Sequence, residues 1–327
     1  MATRTVTRLP APSKAAYKRP SDALRSRHHL PWRPRRPDQQ LVAYWFLAPW
    51  LIGLLGITLG PMIYSLYTAF TNYNLLTAPK WVGFQNFQLL LQDPQFIQSV
   101  KVTVTFTLIS VPLVLLSSLG LALLLNTGIR GLSIYRTLFY LPSLLGSSAA
   151  IAILWITVFS QPGLFSDVMS FFGIHTGSLI GNPRTALYTI VVLNVWAFGA
   201  TMIIFLAALR NVPREYYESA AIDGAGRWQR FRRVTLPLIT PALFFNLILG
   251  TVMASQTFTS AYIIGGPAGG PAGSLLFYTV YIYEEGFANF KMGYASAMAW
   301  LMLIALGLFT ACCFATARFW VHYGDER

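Results

Sequence analysis

Asp, Glu, Lys, Arg and His are absent from six long stretches of this chain: Gln39 to Pro79, Val102 to Ile129, Thr137 to Ser166, Thr185 to Leu209, Val234 to Tyr283 and Met292 to Ala317. Each stretch is apolar and can hold the roughly 20 residues that cross a bilayer as a helix. The pattern predicts an all-α, polytopic membrane fold with six transmembrane helices near 42–70, 102–126, 137–160, 186–209, 240–263 and 292–317. The fifth stretch has length enough for two crossings. Its second half, however, carries the helix-breaking run GGPAGGPAG (Gly265 to Gly273), and the SLLFYTVYIY that follows is too short to cross. The first stretch is longer than the apolar core of a signal peptide and follows a long basic tail, so it is expected to be a retained helix.

Composition agrees with this reading. The chain is 55% hydrophobic and 11% charged, where a soluble domain carries about 25% charged residues. A net charge of +13 could suit a nucleic-acid binder. Ten of the 24 Lys and Arg residues lie within residues 1–39, with no recognition module after them, so the excess reads as a basic flank for membrane lipid and no nucleic acid is expected. That tail, 1–39, is rich in Pro, Arg and Ser and is expected to be disordered. Residues 40–320 form the membrane domain, and 321–327 a short terminal segment. If the N-terminus is inside, the inside segments hold 20 basic residues, and the outside loops hold four: Lys80, Lys101, Arg184 and Lys291. The positive-inside rule then places both termini in the cytoplasm.

Catalytic chemistry is not legible. Cys312 and Cys313 are adjacent within an apolar run, and His28, His29, His175 and His322 form no metal-binding pair. Walker A and dinucleotide-binding patterns are absent, so no metal, cofactor or ATP is expected on this chain. Glu284 and Glu285 are neighbours and therefore diverge, which does not suit an acid/base pair.

One polar segment, 211–237, separates spans four and five on the cytoplasmic side. Pro213 suits the first turn of a helix over Arg214 to Ala221. Asp223 is expected to cap a second helix and Gly224 to supply the turn between them. Trp228, Phe231 and Val234 recur every three residues and give the second helix one apolar edge, with Arg227, Arg230, Arg232 and Arg233 on the remainder. Pro237 and Pro241 are expected to reset the backbone before span five. A loop that only anchors at lipid headgroups would share this composition. The spacing argues for more. Glu218-Ser219-Ala220, then Gly224, then Val234-Thr235-Leu236-Pro237 follow the pattern E-A-A, three residues, G, nine residues, I-x-L-P, with Ser for Ala and Val for Ile. In this the chain resembles the membrane-spanning permease subunits of bacterial ATP-binding-cassette importers. DGAGRWQRF (Asp223 to Phe231), the GGP run ending at Pro271, YIYEEGF (Tyr281 to Phe287) and GYASAMA (Gly293 to Ala299) are similar to the maltose- and glycerol-phosphate-type carbohydrate branch.

The resemblance covers about residues 40–320 and implies several partners. These are two copies of an ATPase carrying ATP and Mg, a second homologous permease, and an extracytoplasmic solute-binding protein. It implies a multi-pass subunit of the bacterial cytoplasmic membrane. The 211–237 loop would be the coupling helix that docks into the ATPase. Glu218 would pair with a cation there, Gly224 would permit the turn, and Ala220 and Ala221 would allow close approach. Asp223, Val234, Leu236 and Pro237 would complete the segment.

The six windows contain no Asp, Glu, Lys, Arg or His, which argues against self-contained proton coupling and for an external energy source. A path lined by hydroxyls, amides and rings suits a neutral sugar. The candidates are Asn194 and Trp196 in span four, and Ser255, Gln256, Thr259, Ser260 and Tyr262 in span five. Ordinary helix–helix hydrogen bonding is the competing role for each. A glycerol-phosphate-type cargo would need helix N-termini or a partner's cations. A stand-alone secondary transporter or channel, and a scaffold presenting its basic tail, are the alternatives from other classes. Trp81, Phe84 and Phe87 read as an interfacial aromatic belt.

Overall fold

The structure, a computed structural model, describes residues 37–127, 131–146 and 148–322, with side chains from Tyr44 onward. The expected disordered tail falls outside the described residues, except that Pro37 already opens the first helix; Arg130 and residues 323–327 also fall outside. Residues up to Gly60 form one compact unit and Pro61 onward a second. The first unit holds α1 (Pro37–Ile52) and a π-turn over Gly53–Leu59. Most of its described apolar side chains, Trp45, Phe46 and Ile57 among them, are exposed, and Leu51, Leu54 and Leu59 are half-buried, as suits a surface solvated by lipid.

From Pro61 the second unit takes in all but the first residue of α2 (Gly60–Ala69), then α3 (Gln85–Gln92), α4 (Pro94–Leu125), α5 (Leu132–Leu145), α6 (Ala149–Phe159), α7 (Leu164–Phe171), α8 (Ala186–Trp196) and α9 (Gly199–Arg210). It continues with α10 (Arg214–Ile222), α11 (Arg227–Arg230), α12 (Leu236–Leu238), α13 (Thr240–Ser255), α14 (Thr259–Gly265), α15 (Tyr278–Tyr283) and α16 (Met292–Trp320). Among the described residues the one β feature is an isolated bridge between Thr71 and Trp81. Beside it Asn86 Nδ2 donates to the carbonyls of Ala69 at 2.8 Å and Thr71 at 2.9 Å. The rings of Tyr67, Phe70, Trp81, Phe84 and Phe87 pack in one cluster there, Phe70 stacking on Trp81 and meeting Phe84 edge-on, with Trp81 and Phe84 exposed.

By length and hydropathy, Tyr44–Ala69, Pro94–Leu125, Ala149–Phe171, Thr240–Gly265 and Met292–Trp320 can each cross a membrane, and the pair α8–α9, bent by 44°, makes a sixth crossing if taken as one span. Five of the six expected windows are recovered. The third is corrected: 137–160 is not one helix, because α5 stops at Leu145 and Ser148 caps α6, its hydroxyl accepting from the Ile151 N–H at 3.3 Å. The helices also outrun the uncharged windows, so Lys101 lies exposed within α4 and Arg318 within α16.

α4 is the hub, packing against α8, α9, α13 and α15. Asp93 caps its start by accepting from the Gln95 N–H at 2.9 Å, and Pro94 fills the first helical position, where no N–H is needed. Toward that end Val102, Phe106 and Val111 join a core with Ile190, Phe277 and Met298. At the other end Ala122 and Leu125 join Met202, Phe205 and Ile239. Lipid is as apolar as leucine, so close backbone approach rather than water exclusion drives such packing. The buried set matches that logic: Ala69, Ala122, Ala152, Ala186, Ala261, Ala297, Ser99, Ser110 and Ser118 are fully enclosed.

The Gly/Pro run ends α14 as expected. It then folds back into the protein, burying Leu275, Leu276 and Phe277 and delivering the Tyr278 N–H to Thr103 Oγ1 at 2.8 Å. α15 is six residues long and does not cross.

Candidate functional site

The 211–237 segment is an elbow with fixed roots and a free outer surface. Val212 and Ile239, one at each root, are buried against Leu125, Phe205 and Leu209. Between the roots the Tyr217 and Thr235 hydroxyls meet at 3.0 Å, bracing α10 against the returning strand of chain. The C-terminus of α10 forms a Schellman turn: the Gly224 N–H donates to Ala221 O at 3.1 Å and the Ala225 N–H to Ala220 O at 2.9 Å. Gly224 sits at φ +76°, the left-handed region that the turn requires.

Asp223 is corrected: it is the C-cap of α10, and α11 is instead capped by Gly226, whose N–H donates to Gln229 Oε1 at 3.1 Å. The Gly224-Ala225-Gly226 turn is long enough to leave Asp223 behind. Pro213 is the N-cap residue, with Arg214 first in the helix. Pro237 lies inside the short helix α12 after a π-turn over Phe231–Thr235, and the backbone reset comes two residues later, at Ile239 (φ −95°, ψ 0°). Glu218, Ala221 and Asp223 are exposed, and Ala220, Val234, Leu236 and Pro237 are half-buried. Ile222 and Trp228 present large apolar surface outward, Trp228 stacking on Phe231 at 5.5 Å.

The second candidate region is a break in span five. α13 stops at Ser255 and α14 starts at Thr259, so the backbone loses its regular ladder over Gln256, Thr257 and Phe258. Thr279 Oγ1 donates to the Thr257 carbonyl at 2.5 Å, satisfying one group the break releases. The polar residues divide into two sets. Asn194 Nδ2 donates to Ser110 Oγ at 2.8 Å, and the Ser255 and Thr107 hydroxyls lie 3.5 Å apart, so both tie their spans to α4. Gln256 and Thr259 are exposed, Ser260 and Tyr262 are half-buried, and their side chains have no hydrogen-bond partner among the described residues. Trp196 is exposed and lies against Trp155 at 6.2 Å. The fourth span bends beside Asn194 and Trp196, so both interrupted spans meet one stretch of α4.

Sequence reasoning missed a knot at the Asp93 end. The hydroxyls of Tyr281, from α15, and Tyr294, from α16, both donate to Asp93 Oδ2, the latter at 2.5 Å. Burial pushes the Asp93 carboxyl up, but the two tyrosines and the Gln95 and Phe96 amides outweigh it and hold the group below its ordinary range. Burial, followed by the Asp93 contact, pushes the Tyr281 phenol up. The Asp-Pro pair signals a helix start, but its partners lie 188 and 201 residues away, beyond any local pattern. Close by, Lys291 pairs with buried Glu285 at 2.8 Å.

No three His, Cys, Asp or Glu side chains converge on a metal position among the described residues.

Residues 128–323 match a model of the binding-protein-dependent transport system inner membrane component family. The chain is 48% identical to the Bacillus subtilis protein named "Probable ABC transporter permease protein YesP", the match covering 88% of this chain and 93% of that one. It is 32% identical to the lactose transport system permease protein LacF of Rhizobium radiobacter, over 84% and 93% of the two chains. A chain of a bacterial alginate ABC transporter, solved with its alginate pentasaccharide-bound periplasmic protein, superposes with a TM-score of 0.74 at 25% identity, covering 86% of this chain and 95% of that one.

Proposed function

The chain belongs to the binding-protein-dependent inner membrane components, the permease subunits of ATP-binding-cassette importers, and within that role we propose that the 211–237 elbow is its joint to the ATPase and the break in span five lines the path of a sugar. The observation that carries the joint is the elbow itself. A rigid, doubly rooted turn exposes Glu218, Ile222 and Trp228 at its tip. A charge beside apolar anchors with a braced base is what a partner needs in order to push. The basic asymmetry of twenty to four supports a cytoplasmic elbow and cytoplasmic termini.

ATP and Mg then belong to two copies of the partner ATPase, a second permease completes the path, and a solute-binding protein delivers cargo to the opposite face. The alginate transporter, solved with its periplasmic protein, supports the last of these, and the lactose permease supports a sugar. Unpartnered Gln256 and Thr259 offer hydrogen bonds to hydroxyls without a fixed charge.

Glu218→Lys tests the joint. Like charges in a partly desolvated contact cost several kcal/mol, so the mutant should reach the membrane at normal levels yet lose co-purifying ATPase and transport together. A lipid-anchoring loop would tighten instead, because added positive charge favours anionic headgroups. Retained ATPase with wild-type transport removes the coupling assignment.

A further inference from the structure

A cavity of about 400 Å³ lies between the elbow and the ends of α4 and α9, and we propose that it holds the phosphate of an anionic phospholipid from the inner leaflet. That volume falls within the roughly 300–1,000 Å³ of small-ligand sites. Three elements build it at one level. α4 contributes Leu123 and the two residues after its end, Asn126 and Thr127. α9 contributes Leu209, next to its last residue, Arg210. The elbow contributes Arg227, Arg230 and Phe231, together with the Tyr217–Thr235 brace. Two spans end here, so the cavity sits at the depth of lipid headgroups. This inference rests on the cytoplasmic placement of the elbow, not on its joint to the ATPase.

The lining carries two guanidinium groups and no carboxylate. Neither Arg227 nor Arg230 is in an ion pair among the described residues. Arg230 Nε is enclosed and has no hydrogen-bond partner among them. A buried donor left unpaired is costly, so a bound acceptor is its natural complement. α4 ends in free carbonyls at the same cavity, yet none of them takes Arg230 Nε. The Tyr217 and Thr235 hydroxyls meet each other, and the Thr127 hydroxyl donates to Leu124 O at 2.6 Å. The donors left for a ligand are therefore the guanidinium groups and the Asn126 amide. Arg232 and Arg233, by contrast, are exposed and lie outside the cavity.

Guanidinium groups pair with phosphate oxygens through parallel charge-assisted bonds. The rest of the lining selects among phosphates. The negative end of the α4 dipole lies at the cavity, which favours a singly charged diester over a doubly charged phosphate. Leu123, Leu209 and Phe231 make one wall apolar, and α4 and α9 continue it into the bilayer. A free phosphate has nothing to set against that wall, whereas a lipid has its glycerol backbone and the start of its chains. A choline head would bring its own cation beside two arginines, so the lipid is an anionic one. A seated headgroup ties the elbow to the ends of two spans and leaves Glu218 and Trp228, which do not line the cavity, free for a partner.

The test uses the complete importer, delipidated in detergent and then given graded phosphatidylglycerol or phosphatidylcholine, with retained lipid counted by native mass spectrometry. Wild type should retain one more phosphatidylglycerol per copy of this chain than a variant carrying both Arg227→Gln and Arg230→Gln, and phosphatidylcholine should not replace it. Arg230→Gln alone should weaken retention by about tenfold, and Arg230→Lys by less. Arg233→Gln, on the exposed surface, should weaken it by less than about twofold. Equal losses for Arg230→Gln and Arg233→Gln mean a diffuse basic surface and overturn the site, as does equal wild-type retention of the two lipids. Displacement of the lipid by excess inorganic phosphate assigns the cavity to a free phosphate and overturns the lipid. Loss of the ATPase from Arg230→Gln with the lipid retained assigns the arginine to the ATPase contact instead. If neither glutamine variant assembles, the wild-type comparison of the two lipids and of phosphate still decides.

Discussion

Asp93 does the work of three residues at once: it caps α4 and receives both Tyr281 and Tyr294, so one carboxylate joins three elements. Its folded-state pKa lies below the ordinary 3.8, so its contribution is complete above that value and is lost as the pH falls through the lowered one. Asp93→Asn should therefore lower the apparent melting temperature of the purified protein, by an amount equivalent to about 1–3 kcal/mol. The gap to wild type should stay constant from pH 8 down to about pH 5 and narrow only in stronger acid. A gap that closes between pH 8 and pH 6 would assign the effect to another group. The cap was foreshadowed by the Asp-Pro dipeptide. The tyrosines were not, because a hydrogen bond across a membrane bundle leaves no periodic trace.

Among the elements, the elbow was the most legible and the interrupted spans the least. The Glu218-to-Pro237 spacing pointed to two short helices about Gly224, and φ +76° there matches a turn that only a glycine-like backbone takes easily. A Cβ at Gly224 would meet nothing within 4 Å, so substitution tests backbone strain alone. Gly224→Val should cost about 1–3 kcal/mol and weaken ATPase capture and transport together, while Gly224→Asn, tolerant of the left-handed region, should keep most of both. Equal behaviour of the two variants would mean the turn is not held at that angle in the assembly. The second cap was misplaced because Asp223 is a good N-cap in isolation, and only the length of the intervening turn excludes it. The break at Gln256–Phe258 contains neither Gly nor Pro, the usual signs of one. Thr279, from α15, pairs with one carbonyl that the break releases, a contact no local pattern signals.

For the whole molecule, the charge-free windows foretold six crossings and the third helix boundary failed, since hydropathy does not register a Ser cap inside an apolar run. Orientation is open to direct measurement. Single cysteines near Arg227 should resist a membrane-impermeant thiol reagent in intact cells, and those at Asp93 and Asp167 should react; labelling at 227 would invert the topology. The packing hierarchy was illegible, because nothing in the sequence marks α4 as the helix that the others share. That helix has 32 residues, about 48 Å at 1.5 Å per residue, in a hydrocarbon core of about 30 Å. Its uncharged part, 102–125, alone measures about 36 Å. A helix longer than the hydrocarbon core is accommodated by tilting, by kinking (α4 carries Pro112) or by thickening of the bilayer, and a lean would change with lipid thickness. Because α4 carries Thr107 and Ser110 beside the interruptions of spans four and five and Leu125 beside the elbow, a change in its lean reaches both regions at once. In nanodiscs of short-, medium- and long-chain phosphatidylcholine, sugar-stimulated ATP hydrolysis should differ by about twofold or more between the extremes. Identical rates would show that the bilayer deforms around a helix that does not.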